Sequence, residues 1–392
     1  MSLFVDPKLG LIDGPVQPRL EAQSRAKSWY DWAGYAAPAV LDTVEFEYFA
    51  LRNQASLFDV SPMHKYRIRG PQAQAMLNRM MTRDITKIGT NRVGYTLWCD
   101  EEGMVIDDGT LFRFADDDWR LCCQEQMLTW LLDAAWGFDV EITDESKEVA
   151  GFALQGPSTF AVLESAGWDV SALRPFDMAE VAPGILISRT GFTGDLGYEI
   201  WMPWDDALAV WDKIWAAGDL WGLRAIGYEA VDYARLEAGF LTAGVDFQPA
   251  RGTERLHRGL TPYELGFGRL VHLDKGHFNG RRALLKAKDA PRSVVMKVDV
   301  EGFKPAKGAL IYHRKKREVG HITSGLWSPT AKRNIALAHV QMPWAGKRPS
   351  DLWAEIYTLE EGKWDTRMAR LTPIQGAFFA PPRARATPPA RI

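Results

Sequence analysis

Apolar and polar positions alternate in short runs along much of this chain, and twice the alternation gives way to helical spacing across a Gly-Pro step. Tyr66 and Ile68 alternate with Lys65, Arg67 and Arg69; Gly70-Pro71 follows, and Ala73, Met76, Leu77 and Met80 then recur every three or four residues. Phe152 and Leu154 alternate in the same way before Gly156-Pro157, after which Phe160 and Leu163 share a helical face that Gly167 ends. Each stretch predicts a strand, a turn and a helix. One such unit cannot bury both a sheet face and a helix face alone, so the repetition predicts two related α+β halves packed together.

Other runs extend this pattern. VIDDGTL at 105–111 predicts a strand, in which Asp107 and Asp108 point to opposite faces; Asp108-Gly109 also reads as a hairpin turn. ILISRTGF and YEIWM predict a hairpin between Ile185 and Pro203 with Gly194 to Gly197 as its turn. Asp205 or Asp206 caps a helix carrying Leu208, Trp211 and Trp215 on one face, and a further helix runs from about Ala225 to Ala238, closed by Gly239. From Ser293 onward, short β-rich runs between Gly, Pro and Asn predict a separate barrel or sandwich. The expected domains are an N-terminal aromatic arm (1–42), an α+β domain of two lobes (43–288), a β domain (289–380) and a disordered tail (381–392) of four prolines and three arginines.

Composition narrows the function. Lys and Arg number 47 against 50 Asp and Glu in 392 residues, a balance that offers no electrostatic case for nucleic acid or an anionic membrane. Cys99, Cys122 and Cys123 have no zinc-type spacing, and His272 and His277 lack a recognised ligand motif, so no metal is expected. A reducing, cytoplasmic setting and a small-molecule partner are the expectation. Asp6 and Lys8 interrupt any leader-like apolar run, and no apolar stretch reaches 18 residues. The glycines at 191, 194 and 197 do not open a helix after a strand, as a phosphate-cradling loop must.

Six stretches in order carry a resemblance: LFDVSPM at 57–63, GMVIDDGTL at 103–111, SRTGFTGDLGYEIW at 188–201, RLEAGF at 235–240, LDKGHFNGRRAL at 273–284 and GHITSGLWSPT at 320–330. Together they resemble the glycine-cleavage T-protein (aminomethyltransferase) family. The resemblance implies a multi-lobed α+β fold with two related lobes and a C-terminal β-barrel around a central opening that takes tetrahydrofolate. It also implies an enzyme, a tetrahydrofolate-dependent one-carbon transferase. Ser61-Pro62-Met63 stands where glycine-cleavage members usually read SHM, Thr242-Ala243-Gly244 where they read LYG, and Leu265-Gly266-Phe267 where many read LGW. These departures concern the donor more than the folate. The leading expectation is therefore a demethylase-like enzyme that moves a methyl group from a small methylated donor. The alternative is a glycine-cleavage aminomethyltransferase acting on an aminomethyl group borne by a lipoyl carrier protein. A non-catalytic folate-binding protein is a second alternative, weakened because Lys275-Gly276-His277 lacks the cysteine that class carries.

The resemblance also assigns residues. Asp108 becomes the catalytic carboxylate beside the reacting folate nitrogens, and Tyr95, Phe192, Glu199 and Arg235 become folate-site residues, Phe192 standing where many relatives carry tyrosine. On spacing alone, Glu199 reads as a solvent-facing strand residue, Tyr95 as a core tyrosine, and Arg235 as a surface partner of Asp232.

Overall fold

The computed structural model describes Lys8 and residues 10–252, 259–302, 304–346 and 349–390. Asp6 and the last two residues of the tail therefore lie outside the described residues. The chain begins with helix α1 (Gln17–Gln23) and a hairpin of β1 (Ser28–Trp32) and β2 (Tyr35–Val40). Helix α2 (Val44–Asn53), whose first turn is capped by the Thr43 hydroxyl, leads to β3 (Ala55–Asp59), β4 (His64–Arg69) and α3 (Ala73–Met80). β5 (Arg92–Cys99), β6 (Val105–Ala115) and β7 (Asp118–Cys123) follow as a meander, then α4 (Leu128–Ala134) and β8 (Glu141–Asp144). Next come β9 (Val149–Gln155), α5 (Thr159–Ser165), β10 (Met178–Ala182), β11 (Ile185–Ser188) and β12 (Gly197–Pro203). Helix α6 (Ala207–Gly218), β13 (Leu223–Ala225), α7 (Tyr228–Ala238) and α8 (Arg281–Ala287) lead to β14 (Ser293–Val300). The last strands are β15 (Leu310–His313), β16 (Arg317–Ser328), β17 (Arg333–Gln341), β18 (Leu352–Glu360) and β19 (Lys363–Pro373).

The strands form two lobe sheets and a closed barrel. The first lobe holds the order β5-β6-β7-β4-β8, the second β10-β11-β12-β9-β3-β13, and the barrel β14-β17-β16-β15-β18-β19. The two Gly-Pro units, β4 to α3 and β9 to α5, occupy equivalent places. Gly70 and Gly156 both have positive φ, at 131° and 125°, and a β-carbon on either would lie 2.6 Å from a carbonyl oxygen of another segment. Only glycine fits this strand-to-helix step, which accounts for the repeated motif.

Each lobe sheet has an outer face under helices and an inner face toward the other lobe. In the second lobe, Phe152, Leu154, Tyr198 and Ile200 pack outward with α5 and α6, whereas Ala153 and Trp201 face inward. In the first lobe, Trp98, Leu111 and Leu121 pack outward with α3, while Phe112 and Cys122 face inward. Phe112 and Trp201 meet edge to face at 5.5 Å between ring centres, so the inner faces join directly.

Four expectations change. The N-terminal arm is no loose appendage where it is described: residues 17–40 fold into α1 and a hairpin, and Val16 and Leu20 enter the second lobe's core. The hairpin strands at Ile185–Pro203 stop short, leaving a loop over 189–196 between β11 and β12. Asp206 precedes α6 but makes no side-chain cap, and Leu208 is partly exposed, although Trp211 and Trp215 lie on one face and stack on each other. Residues 381–390, read as disordered from their composition, lie folded against the second lobe through Arg383 and Thr387.

Candidate active site

Asp108 lies inside the eleven-residue strand β6, opposite Leu97 of β5, so Asp108-Gly109 is not a turn. Its neighbours settle the two faces. Asp107 pairs with Trp98, which packs outward, and Asp108 pairs with Leu97 on the other side of the sheet. Asp107 is fully buried and accepts hydrogen bonds from the backbone N–H groups of Asp108 at 2.9 Å and Glu125 at 3.2 Å. Asp108 is half-buried and accepts one from the Tyr95 hydroxyl at 2.7 Å. Tyr95 reaches it diagonally, two residues before Leu97 on the same face of β5.

Burial pushes the Asp108 carboxyl up to about 6, with the Tyr95 hydrogen bond acting the other way. The Asp107 carboxyl is pushed well above the usual range by burial and by the neighbouring Asp108 charge. Of the two, Asp108 is the one available as an anion near neutral pH.

Glu199 sits at the centre of β12, paired with Ser188 and Ala153. Tyr198 and Ile200 on either side point outward into the core, so Glu199 points inward with Trp201. Burial raises its carboxyl, and the Thr190 hydroxyl donates to it at 2.6 Å. Among the described residues no cation pairs with Asp108 or Glu199. Two desolvated carboxylates on facing inner sheets, each with one hydroxyl donor, keep acceptor capacity for a ligand rich in N–H groups.

Phe192, on the loop between β11 and β12, is 39% exposed and stacks at 5.6 Å on Phe240, which is 38% exposed. The pair offers an open aromatic face. The loop beneath it explains two of the three glycines in RTGFTGDLG. A β-carbon at Gly191 or Gly197 would lie 2.1 Å from the Gln155 side-chain oxygen, and the Gln155 amide donates to the carbonyls of Thr190 and Tyr198. These glycines serve close packing on Gln155.

Arg235 is not on the surface. It is 1% exposed and spends its donors inside the protein, on Asp232, Asp246, Ser324 of the barrel and the Phe240 carbonyl. All five guanidinium N–H groups have acceptors, so a direct contact with folate would displace one of them. Its geometry is that of a joint between α7, the Phe240 segment and the barrel.

The structure thus brings Tyr95 and Asp108 into contact, sets Glu199 on the facing sheet, and links Phe192 to Arg235 through Phe240. Sequence reasoning missed Thr190, Phe240 and Asp246. Phe240 lies within RLEAGF and Thr190 within SRTGF, so both were visible as motif members without a role. Nothing local marks Asp246 as the partner of a residue eleven positions earlier.

Replacing Glu199 by Gln removes the charge while keeping the shape. On the expectation from the sequence that Glu199 holds folate, binding should weaken by roughly 1.5–3 kcal/mol, the range for a hydrogen bond to a charged group. A titration of the variant giving the parent Kd would show that Glu199 does not hold the ligand.

Residues 21–275 match the GCVT N-terminal domain family, and residues 292–356 match the glycine cleavage T-protein C-terminal barrel domain. The aminomethyltransferase of Caldanaerobacter subterraneus subsp. tengcongensis is 35% identical over 330 residues, covering 80% of this chain and 84% of that protein. The Bacillus subtilis aminomethyltransferase is 35% identical over 320 residues, covering 79% and 85%. In three dimensions, the crystal structure of glycine cleavage system aminomethyltransferase T from Bartonella henselae superposes with a TM-score of 0.82 at 25% identity, covering 94% of this chain and 98% of that one. On the length of these matches and the geometry they share, the chain belongs to the glycine cleavage T-protein family.

Proposed function

We propose that this protein transfers a one-carbon unit to tetrahydrofolate held between the two lobes. The observation that carries the reading is the pair of inward-facing carboxylates, Asp108 with its Tyr95 hydroxyl and Glu199 with its Thr190 hydroxyl. A pterin presents a planar, guanidine-like edge that a desolvated carboxylate can hold by paired hydrogen bonds, and Glu199 suits that edge. The exposed Phe192–Phe240 pair supplies an apolar face for a ring. Tetrahydrofolate, when bound, supplies the nucleophilic N5 nitrogen that accepts the one-carbon unit. Asp108 orients that nitrogen and stabilises the positive charge that grows there, an effect strengthened by the desolvation of its carboxylate. Tyr95 fixes the Asp108 carboxylate, and Phe267 packs edge-on against the Tyr95 ring at 5.8 Å.

For the donor, the relatives support aminomethyl transfer from a lipoyl carrier, which reverses the order read from the sequence. One observation favours a small methylated donor as the second reading. Buried Ala243 replaces the tyrosine usual in the family, and Phe267, where many relatives have tryptophan, lies on the Tyr95 ring beside Asp108. In the SPM segment, the Lys65 ammonium donates to the Ser61 and Met63 carbonyls at 2.7 and 2.6 Å and fixes their backbone. The test is a donor panel with tetrahydrofolate, comprising an aminomethyl-lipoyl carrier and S-, N- and O-methylated small molecules. Aminomethyl transfer gives 5,10-methylene-tetrahydrofolate and methyl transfer gives 5-methyl-tetrahydrofolate. Formation of neither product from any donor would count against a transferase.

The pH dependence follows from Asp108. With its carboxyl near 6, kcat/KM should be flat above about pH 7 and fall tenfold per pH unit below about pH 6, as the anion is lost. Stability should run the other way. A carboxyl raised above its unfolded value stabilises the fold when protonated, so its contribution is full below about pH 4 and is lost as pH rises through about 6. Asp108→Asn should therefore be at least as stable as the parent at pH 7. An acid limb absent from the kcat/KM profile would contradict the assignment.

A further inference from the structure

The segment after the barrel returns to the second lobe and grips both ends of the loop that carries Phe192. At the far end of that loop, Arg383 donates from Nε and Nη2 to the Asp195 carboxylate at 2.6 and 2.8 Å, and Nη2 also donates to the Arg52 carbonyl at 3.1 Å. Asp195 is wholly buried at its side chain and also accepts from Arg52 at 3.1 Å. At the near end, Arg189 donates to the Thr387 hydroxyl at 2.9 Å and to the Ala386 carbonyl at 2.7 Å. The segment is anchored upstream by Phe379, whose N–H donates to the Glu237 carbonyl at 2.9 Å and whose ring lies 4.9 Å from the Arg52 guanidinium. The matched barrel family ends at residue 356, so the contacts come from beyond it.

We propose that residues 380–390 form a clamp on the loop over 189–195, with Arg383 as a positioning residue for folate. The proposal rests on the reading of Phe192 and Glu199 as folate contacts. The chemistry is specific: a bidentate guanidinium-carboxylate contact, largely withdrawn from water, holds orientation as well as distance. A loop held at both ends keeps Phe192 on Phe240 before ligand arrives, so binding does not bear the cost of ordering it. The clamp touches neither Asp108 nor Tyr95. Its effect therefore falls on folate affinity and leaves the chemical step alone.

The test uses the full chain, its Arg383→Gln and Arg383→Lys variants, and a chain ending at residue 380. Hydrogen exchange without ligand should show backbone amides of 191–197 exchanging about tenfold faster in Arg383→Gln, with β6 amides around Asp108 unchanged. The Kd for tetrahydrofolate should rise about tenfold, with kcat at saturating folate within about twofold of the parent. Arg383→Lys should fall between, since it keeps the charge and loses the fork. The shortened chain should match or exceed Arg383→Gln. Unchanged loop exchange in both Arg383→Gln and the shortened chain would overturn the clamp. Faster exchange with an unchanged Kd, or a kcat that falls as far as kcat/KM, would overturn the positioning role. If the parent itself binds no tetrahydrofolate, the folate reading and the positioning role fail together, and the exchange experiment still decides whether the segment holds the loop.

Discussion

Asp108→Asn should lower kcat by about 10²–10³ while leaving the protein folded and folate affinity largely intact. The size follows from the loss of one preorganised electrostatic contact made mainly in the transition state, which lowers kcat and kcat/KM together. The substitution keeps the hydrogen bond from the Tyr95 hydroxyl, because the asparagine oxygen still accepts it. Asp107→Asn supplies the contrast. Asp107 faces the outer core and uses its two oxygens on two backbone N–H groups, and asparagine can replace only one of those acceptors. Its loss should appear in stability, with turnover reduced far less. Both variants should be assayed with the donor identified by the panel and checked by near-UV circular dichroism. A dead Asp107→Asn beside an active Asp108→Asn would invert the assignment, and two active variants would remove the carboxylate from the chemistry.

The second large effect is on stability. Arg235→Ala should destabilise the fold by about 3–5 kcal/mol, because it leaves Asp246 buried without its cation. The damage should reach beyond α7, since Asp246 also accepts from Thr323 and Ser324 of the barrel. Removing both partners as Arg235→Met with Asp246→Leu should cost less than Arg235→Ala, in the manner of buried ion pairs replaced by apolar groups. Urea unfolding monitored by tryptophan fluorescence measures both. A loss under about 1 kcal/mol in Arg235→Ala, with a large rise in the folate Kd, would instead make Arg235 a direct ligand contact.

The contrast between Asp108 and Arg235 shows what sequence can reveal. The opposite facing of Asp107 and Asp108 was legible because strand alternation is a local property with a period of two. The hydrogen bond from Tyr95 was not, since it depends on pairing Leu97 with Asp108, a register that shifts at the bulge between Trp98 and Cys99. Asp232 and Arg235 are in contact as their spacing suggested. The burial of Arg235 comes from Asp246 and Ser324, which arrive from a loop and from the barrel. Helical spacing carries no information about either.

The tail fails in sequence for a related reason. Proline and arginine without apolar periodicity describe a chain that cannot build its own core. Order arises instead from acceptors on other segments, Asp195 and the Arg52 carbonyl for Arg383, and from Arg189, which donates to the segment. The Gly-Pro repeat lies at the opposite extreme. Its two glycines were visible, their role was inferable from the strand-to-helix step, and the positive φ at Gly70 and Gly156 gives the physical reason. The family's architecture was legible through six motifs; the identity of the donor was not, because Ala243 and Phe267 depart from the family's motifs without forming a motif of their own.

Calorimetric titration of the purified chain with tetrahydrofolate asks whether the inward carboxylates of the two lobes hold one reduced folate. Saturable binding with one site per chain is expected. A folded protein that shows neither heat nor a change in tryptophan fluorescence at millimolar tetrahydrofolate would contradict it.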